Sequence, residues 1–289
     1  MDRAAHTWVR EVLGATKVID LQSLAFGVTS DLRLIEVDGT QLVLRRYLTN
    51  DVIDEDPEVI AHEAAALHAA RSVLGNLVPE AIAFDVTGAE AGHPSLLMTF
   101  LPGRPIVHNL DPRRLAAPLV RIHQGGAPSG LPQFRHWFDL NNVAVPKWSR
   151  APSAWTTLVA ALHGPEPEGQ AGFLHRDYHP GNLLWDTGEL VGIVDWPVAC
   201  CGPRGIDLAH TRGNLALVDG ADAADAFLKA YVDLVPEYEH HPWWDVADLF
   251  SFDDDFRGVI AFNAFGAQFD LDLVRSRADD WAQVLAQKF

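Results

Sequence analysis

Two short stretches, Phe173-Leu-His-Arg-Asp-Tyr-His-Pro-Gly-Asn-Leu-Leu-Trp185 and Gly192-Ile-Val-Asp-Trp196, set polar side chains capable of chemistry among apolar ones. Asp177, Asn182 and Asp195 offer two carboxylates and an amide carbonyl. Hard oxygen donors of this kind suit a magnesium ion, and a carboxylate beside them can orient or deprotonate a hydroxyl. His175 and His179 flank Asp177 and admit another chemistry, because two histidines and an aspartate can ligate zinc. A third possibility needs no ligand: Asp177 and Asn182 cap turns, and Asp195 ends a strand.

Such loops need elements to hold them. Residues 182–185 and 191–196 read as a short hairpin turning at Thr187-Gly188. Upstream, residues 1 to about 100 form a strand-rich unit. Residues 32–37 and 41–47 are strands joined through Asp38-Gly39-Thr40, a turn that tolerates positive φ. Between Pro57 and Leu74, Val59, Ile60, Ala64, Leu67 and Val73 recur at helical spacing. Strands at 81–85 and 95–100 follow, across a turn at 88–92. Beyond about Asp111 the pattern is helical, at 111–124, 153–163, 205–218, 221–234, 243–250 and, in some division, 252–284. Pro118 implies a kink or a later start in the first of these. Residues 125–152, rich in Gly and Pro, read as a long loop.

Together the two loops resemble the catalytic and metal-binding loops of the aminoglycoside phosphotransferase and choline kinase superfamily, whose fold is that of protein kinases. The resemblance implies an α+β fold of two lobes. Residues 1–99 are a small antiparallel-sheet lobe with one main helix that binds nucleotide; residues 100–289 are a larger, mainly helical lobe for catalysis and substrate. It implies a kinase that moves the γ-phosphate of ATP or GTP, with Mg2+, to a hydroxyl of a small molecule. Phosphoryl transfer asks a protein mainly to position groups and to hold magnesium against the phosphates. Asp177 is then the catalytic base, Asn182 and Asp195 hold metal, and His175 and His179 are structural histidines of the catalytic loop. Arg176 stands where antibiotic kinases more often have glycine. After Asp195 the chain reads Trp-Pro-Val, and no Ala-Pro-Glu segment follows, which argues against protein substrates.

The same resemblance assigns the rest. Side chains alternate along a strand, so Val43 and Arg45 share one face, an apolar residue for the base and a charge for the phosphates. Glu63 is Arg45's partner on the following helix. The phosphate-covering loop falls near 23–30, where only Gly27 is glycine, and Ser30 is its candidate phosphate contact. Met98 lies behind the adenine, which the Thr99 carbonyl and Leu101 amide recognise. Asp207 braces the catalytic loop, or caps the next helix.

Composition bears on the acceptor. The formal net charge of -17, from 39 acidic against 22 basic residues, repels phosphate backbones and anionic lipid, so neither nucleic acid nor membrane is expected as a partner. It suits a cationic substrate, although acidity also serves solubility. Asp253, Asp254 and Asp255, with Asp279-Asp280, are candidate ammonium receptors, and Trp243 and Trp244 a candidate wall for a sugar ring. An aminoglycoside or related amino-sugar leads; macrolides, choline, homoserine and other alcohols stay open, as does a pseudokinase-like binding module. No apolar run approaches the ~20 residues of a membrane helix, and the N-terminus lacks a secretory pattern, so the cytoplasm is the expected location. Cys200 and Cys201 are adjacent, which disfavours a disulfide. The oligomeric state is not encoded in any feature of the sequence.

Overall fold

The computed structural model describes residues 1–24, 30–49 and 51–289. Helix α1 (Arg3–Leu13) starts where the Asp2 side chain accepts from the Ala5 amide and ends at Gly14, in the left-handed region. Strands β1 (Val18–Leu24), β2 (Asp31–Val37) and β3 (Thr40–Arg46) form an antiparallel meander. Asp38 and Gly39 join β2 to β3 with φ of 47° and 87°, the two positive values that a two-residue turn needs to match strand twist. Helices α2 (Asp51–Glu55) and α3 (Val59–Leu74) come next, then β4 (Ala81–Asp85) and β5 (Ser95–Thr99). The sheet order is β1-β2-β3-β5-β4, so β5 is inserted beside β3. Strand β1 has no counterpart among the expected strands, for a physical reason: none of its seven residues is fully buried, so it lacks an apolar face to announce it.

Alternation along β3 gives the sheet two functions. Leu42 and Leu44 pack with Ile35, Val37 and Leu97 against Trp8 and Val9 of α1, and Arg46 points the same way to pair with Asp2. Val43 and Tyr47 belong instead to the large core with Ile60 and Leu67, and Arg45 shares their side of the strand. Helix α3 buries Ile60, Glu63, Leu67, Ala70 and Leu74 along one stripe, which places a carboxylate opposite Arg45 in an otherwise apolar interface.

Past β5 the chain crosses Gly103 into β6 (Arg104–Pro105) and then α4 (Pro112–Gln124), α5 (Pro152–Leu162), β7 (Ala171–Leu174), β8 (Leu183–Asp186), β9 (Glu189–Ile193), β10 (Cys200–Pro203), α6 (Gly205–Asp219), α7 (Ala221–Leu234), α8 (Trp243–Leu249), α9 (Arg257–Ile260) and α10 (Leu271–Ala286). Gly103 has φ of 137°, and a Cβ there would lie 2.7 Å from Val191; glycine lets the crossing chain lie against the β8–β9 hairpin. Pro118 does not delay α4. The helix starts at Pro112 with Asp111 as its cap and runs through Pro118, its apolar stripe of Leu115, Leu119 and Ile122 being fully buried. The expected helical span 252–284 resolves into α9, a 3-10 turn at 261–265, and α10, which Asp270 caps. Strand β9 starts earlier than expected, directly after Thr187 and Gly188, both at positive φ.

One apolar core joins α3 to α4, α5, α6, α7, α8 and α10, with Trp155, Trp196, Trp243 and Trp281 among its largest buried side chains. The segment between α4 and α5 is tied down from α10: Asp279 accepts from Ser149 Oγ, the Arg150 amide and Trp155 Nε1. Both cysteines are buried on β10 as free thiols, and burial pushes the Cys200 thiol up to about 12. Among the described residues no helix is long and apolar enough to cross a membrane.

Candidate active site

The loop carrying Asp177 follows β7, and the loop carrying Asp195 follows β9. Asp207, in the first turn of α6 and fully buried, sets the first of them. Its carboxylate accepts from the His175 amide at 2.9 Å and the Arg176 amide at 2.7 Å, and meets His123 Nε2 at 3.2 Å. It is therefore a brace for the loop and not the cap of the helix, which begins at Gly205. Arg176 takes φ of 74°, a left-handed conformation costing a non-glycine residue about 1–2 kcal/mol; the Asp207 bond holds it. The Arg176 side chain stacks over Trp137, 3.7 Å from the ring centroid, and over Phe134 at 4.5 Å, a partner the sequence did not disclose.

His175 stitches the two loops. Its Nδ1 accepts from the Asp177 amide at 3.3 Å, and its Nε2 donates to the Val194 carbonyl at 3.0 Å. Burial lowers its pKa, in keeping with a neutral ring. Both nitrogens are committed, so His175 has no lone pair for zinc. Val194 in turn donates to the Asn182 carbonyl, and Asp195 follows with φ of 69°.

Asp177 sits in a ring of donors. Oδ2 accepts from Asn182 Nδ2 at 3.0 Å, and the same amide group donates to the Asp177 carbonyl at 2.9 Å. Oδ1 lies 3.0 Å from His210 Nε2 and 3.5 Å from His179 Nε2. Burial works against the charge, but His179 and His210 outweigh it and hold the Asp177 carboxyl well below its usual range. Asp177, His179 and His210 come within 4.8 Å of one another, which revives the question of a metal. Protonation answers it: His179 Nδ1 accepts from the Gly181 amide, which puts its proton on Nε2, and both His210 nitrogens face carboxylates. His179 therefore has no lone pair directed at a shared ion, and without it only Asp177 and His210 remain of the three.

A cavity of about 300 Å³ adjoins these loops, walled by Val43, Met98, Thr99, Leu101, Leu184 and Val194, with Arg45, Glu63, Asn182 and Asp195 as its charged and polar groups. The Arg45 guanidinium is 2.7 Å from Asp195 Oδ1 and 3.5 Å from Glu63 Oε1. Burial opposes the Arg45 charge, but Glu63 and Asp195 push its pKa up. Glu63 is also pushed up, to about 7, by burial. The two directions conflict for a simple pair, and the distances resolve them: one guanidinium is shared, and Asp195 has the closer contact.

Some expected residues lie elsewhere. Ser30 stands just before β2 and, among the described residues, is not on the cavity wall; Gly27 and most of the expected phosphate loop lie outside the described residues. The three acidic candidates are exposed and make local contacts: Asp253 accepts from the Asp255 and Arg257 amides, Asp254 from Trp148 Nε1, and Asp255 pairs with Arg275. None of the three lines the cavity beside Asn182 and Asp195. Trp243 and Trp244 are core residues and not a wall for a sugar ring: they are 2% and 4% exposed, the latter packed onto Gly205 so closely that a Cβ there would lie 2.4 Å from its ring. Two site residues escaped the sequence reading altogether. His210 is three residues past Asp207 and so on the same helix face, while Asp248 is one of two acids in the apolar run Trp243-Trp-Asp-Val-Ala-Asp-Leu249, a context in which a charge demands a partner.

A strand-rich lobe with an Arg–Glu pair, set over loops that bring Asp, Asn and Asp together, defines a kinase-like phosphotransferase fold. The chain belongs to the phosphotransferase enzyme family, whose profile matches residues 20–245. Among solved structures it is similar to a macrolide 2′-phosphotransferase from Brachybacterium faecium, 16% identical with a TM-score of 0.59, covering 97% of this chain and 98% of that one. It is also similar to a thermostable mutant of an aminoglycoside phosphotransferase in ternary complex with ADP and hygromycin B, 16% identical, TM-score 0.60, over 97% and 98%. At that identity the likeness shows the fold. In sequence it is similar to the homoserine kinase of Beijerinckia indica, 32% identical over 42% of each chain. That of Rhodopseudomonas palustris is 24% identical over 69% of this chain and 65% of its own. Neither is matched over two thirds of its length.

Proposed function

We propose that this protein transfers the γ-phosphate of ATP to a hydroxyl group of a small molecule, with Asp177 receiving the hydroxyl. The observation that carries this is the convergence of three side chains: Asn182 is bonded to Asp177 and lines, with Asp195, the cavity that also contains Arg45 and Glu63. Residues 1–99 serve as the nucleotide lobe and 100–289 as the catalytic and acceptor lobe. In the cavity, Val43 and Met98 pack against the base, and the Thr99 and Leu101 backbone recognise its edge. Arg45, steadied by Glu63, meets the phosphates.

The donor chemistry fits magnesium. Asn182 spends its NH2 on Asp177, which leaves its carbonyl oxygen for a cation, and Asp195 has a second carboxylate oxygen beyond the one Arg45 contacts; both are hard donors. The ion would neutralise charge on the phosphates. Asp177, kept ionised, is a strong hydrogen-bond acceptor and a weak base. That suits a loose transition state, in which the hydroxyl must be aimed before it must be deprotonated.

For the acceptor, the coarse class is a small-molecule alcohol. The amino-sugar reading loses part of its support because Trp243 and Trp244 are buried and Asp279 is spent on Ser149, Arg150 and Trp155, and the similarity to proteins named homoserine kinase favours a smaller metabolite alcohol as a second reading. A pseudokinase is disfavoured by the retention of Asp177, Asn182 and Asp195 in one site. A nucleotide-consumption screen of the purified protein with magnesium, across aminoglycosides, macrolides, choline, homoserine and related alcohols, tests the proposal. One acceptor is expected to raise ATP consumption well above the rate with water. Nucleotide binding without any consumption across the panel would favour the binding module.

A further inference from the structure

His210 has a carboxylate on each side: Nε2 is 3.0 Å from Asp177 Oδ1, and Nδ1 is 2.9 Å from Asp248 Oδ1. An ionised carboxylate can only accept, so both ring nitrogens must donate, and only the imidazolium has two N–H groups. Burial alone would drive that proton off; Asp248 and Asp177 reverse the balance and push His210 up to about 10. The other titratable or charged groups packed nearby are His179, with its ring 5.8 Å away, and Arg176, stacked on the same Trp137 whose edge meets His210 at 6.0 Å. Phe252 lies parallel to the ring at 6.3 Å, so the imidazole is held in orientation as well as in charge.

Asp248 is built in for this contact. It is 8% exposed, and its Oδ2 is buried with no hydrogen-bond partner. A Cβ on Gly213, one turn past His210 on α6, would lie 2.3 Å from that oxygen. The helix thus gives up a side chain to admit a carboxylate that spends its charge on His210.

We propose that His210, held as a cation between Asp248 and Asp177, is a positioning residue for phosphoryl transfer, fixing the direction in which the Asp177 carboxylate presents itself to the acceptor hydroxyl. This rests on the reading of Asp177 given above. Asn182 fixes Oδ2, and His210 makes the shorter contact to Oδ1, 3.0 Å against 3.5 Å from His179, so loss of His210 leaves Oδ1 only the longer contact and loosens the carboxylate without touching the nucleotide cavity.

The test uses the full chain, magnesium-ATP, and the acceptor found in the screen, or water if none is found. His210→Asn is expected to lower kcat about a hundredfold, the cost of a misplaced reacting group, with the KM for ATP unchanged. Asp248→Asn keeps a partner at Nδ1 but removes the charge that holds the second proton; it is expected to lower kcat, and to lower it further as pH rises and His210 becomes neutral, when the single remaining proton is shared between Nδ1 and Nε2 and the bond to Asp177 is no longer assured, an alkaline limb absent from the wild type. A merely structural role would not produce that limb. Histidine 15N NMR at pH 8 should show both His210 nitrogens protonated in the wild type. A neutral imidazole in an active enzyme, a wild-type kcat in His210→Asn, or losses of kcat that only follow the folded fraction would each overturn the inference alone. A wild type with no magnesium-dependent ATP consumption would instead overturn the kinase reading, and the positioning role with it.

Discussion

Arg45 serves two carboxylates, and the distances show which it serves better: 2.7 Å to Asp195 against 3.5 Å to Glu63. Glu63 therefore bears a burial cost that its partner only partly offsets, and its pKa is pushed up from an ordinary 4.5 to about 7. The sign of the stability effect follows. Below pH 4.5 the group is protonated folded or unfolded; between 4.5 and 7 only the unfolded chain ionises, so stability falls as pH rises, by up to roughly 3 kcal/mol. Glu63→Gln removes that dependence. Urea denaturation of both proteins should show the variant gaining on the wild type from pH 4.5 to 7.5; a constant difference would mean that Arg45 fully compensates Glu63.

At the scale of elements, α6 organises the site, with Asp207 bracing the catalytic loop from its first turn and His210 reaching Asp177 one turn later. Gly213 supplies a measurable consequence. In a helix interior alanine is favoured over glycine by about 1 kcal/mol, but here its Cβ would meet Asp248 Oδ2 at 2.3 Å, an overpacking that costs about 1–3 kcal/mol. Gly213→Ala is expected to lower the denaturation midpoint and to reduce activity along with it. A stabilised variant would show that Asp248 moves aside freely. The sequence made part of this site legible. Asp177, Asn182 and Asp195 lie within 20 residues on two loops, and β3 alternation separates Arg45 from Arg46 without reference to the rest of the chain. His210 and Asp248 were not legible, because their pairing bridges three elements and α8 could have turned its acids outward. The role of Asp279 was hidden for the same reason: composition counts charges but does not say that this one holds Ser149 and Trp155. Strand β1, half polar throughout, gave no period to read.

At the scale of the molecule, the pocket assigned to nucleotide draws its walls from the five-stranded sheet, α3 and the β6–β8–β9 sheet. Gly103 is where the chain passes from β5 to β6, and the pocket includes residues on either side of that crossing. A ligand filling it should tie the two halves together. Magnesium-ATP at about a hundredfold excess over its Kd should stabilise the fold by roughly 2.7 kcal/mol, read as a rise in Tm, with a smaller rise when the metal is chelated. A shift that ignores metal would remove Asn182 and Asp195 from the role assigned to them. The most direct test of the whole account is Asp177→Asn, which keeps the side chain's size and a hydrogen-bonding oxygen but removes its charge. The account predicts a Tm near that of the wild type and phosphoryl transfer reduced by on the order of a hundredfold or more; transfer at the wild-type rate from a folded Asp177→Asn protein would contradict it.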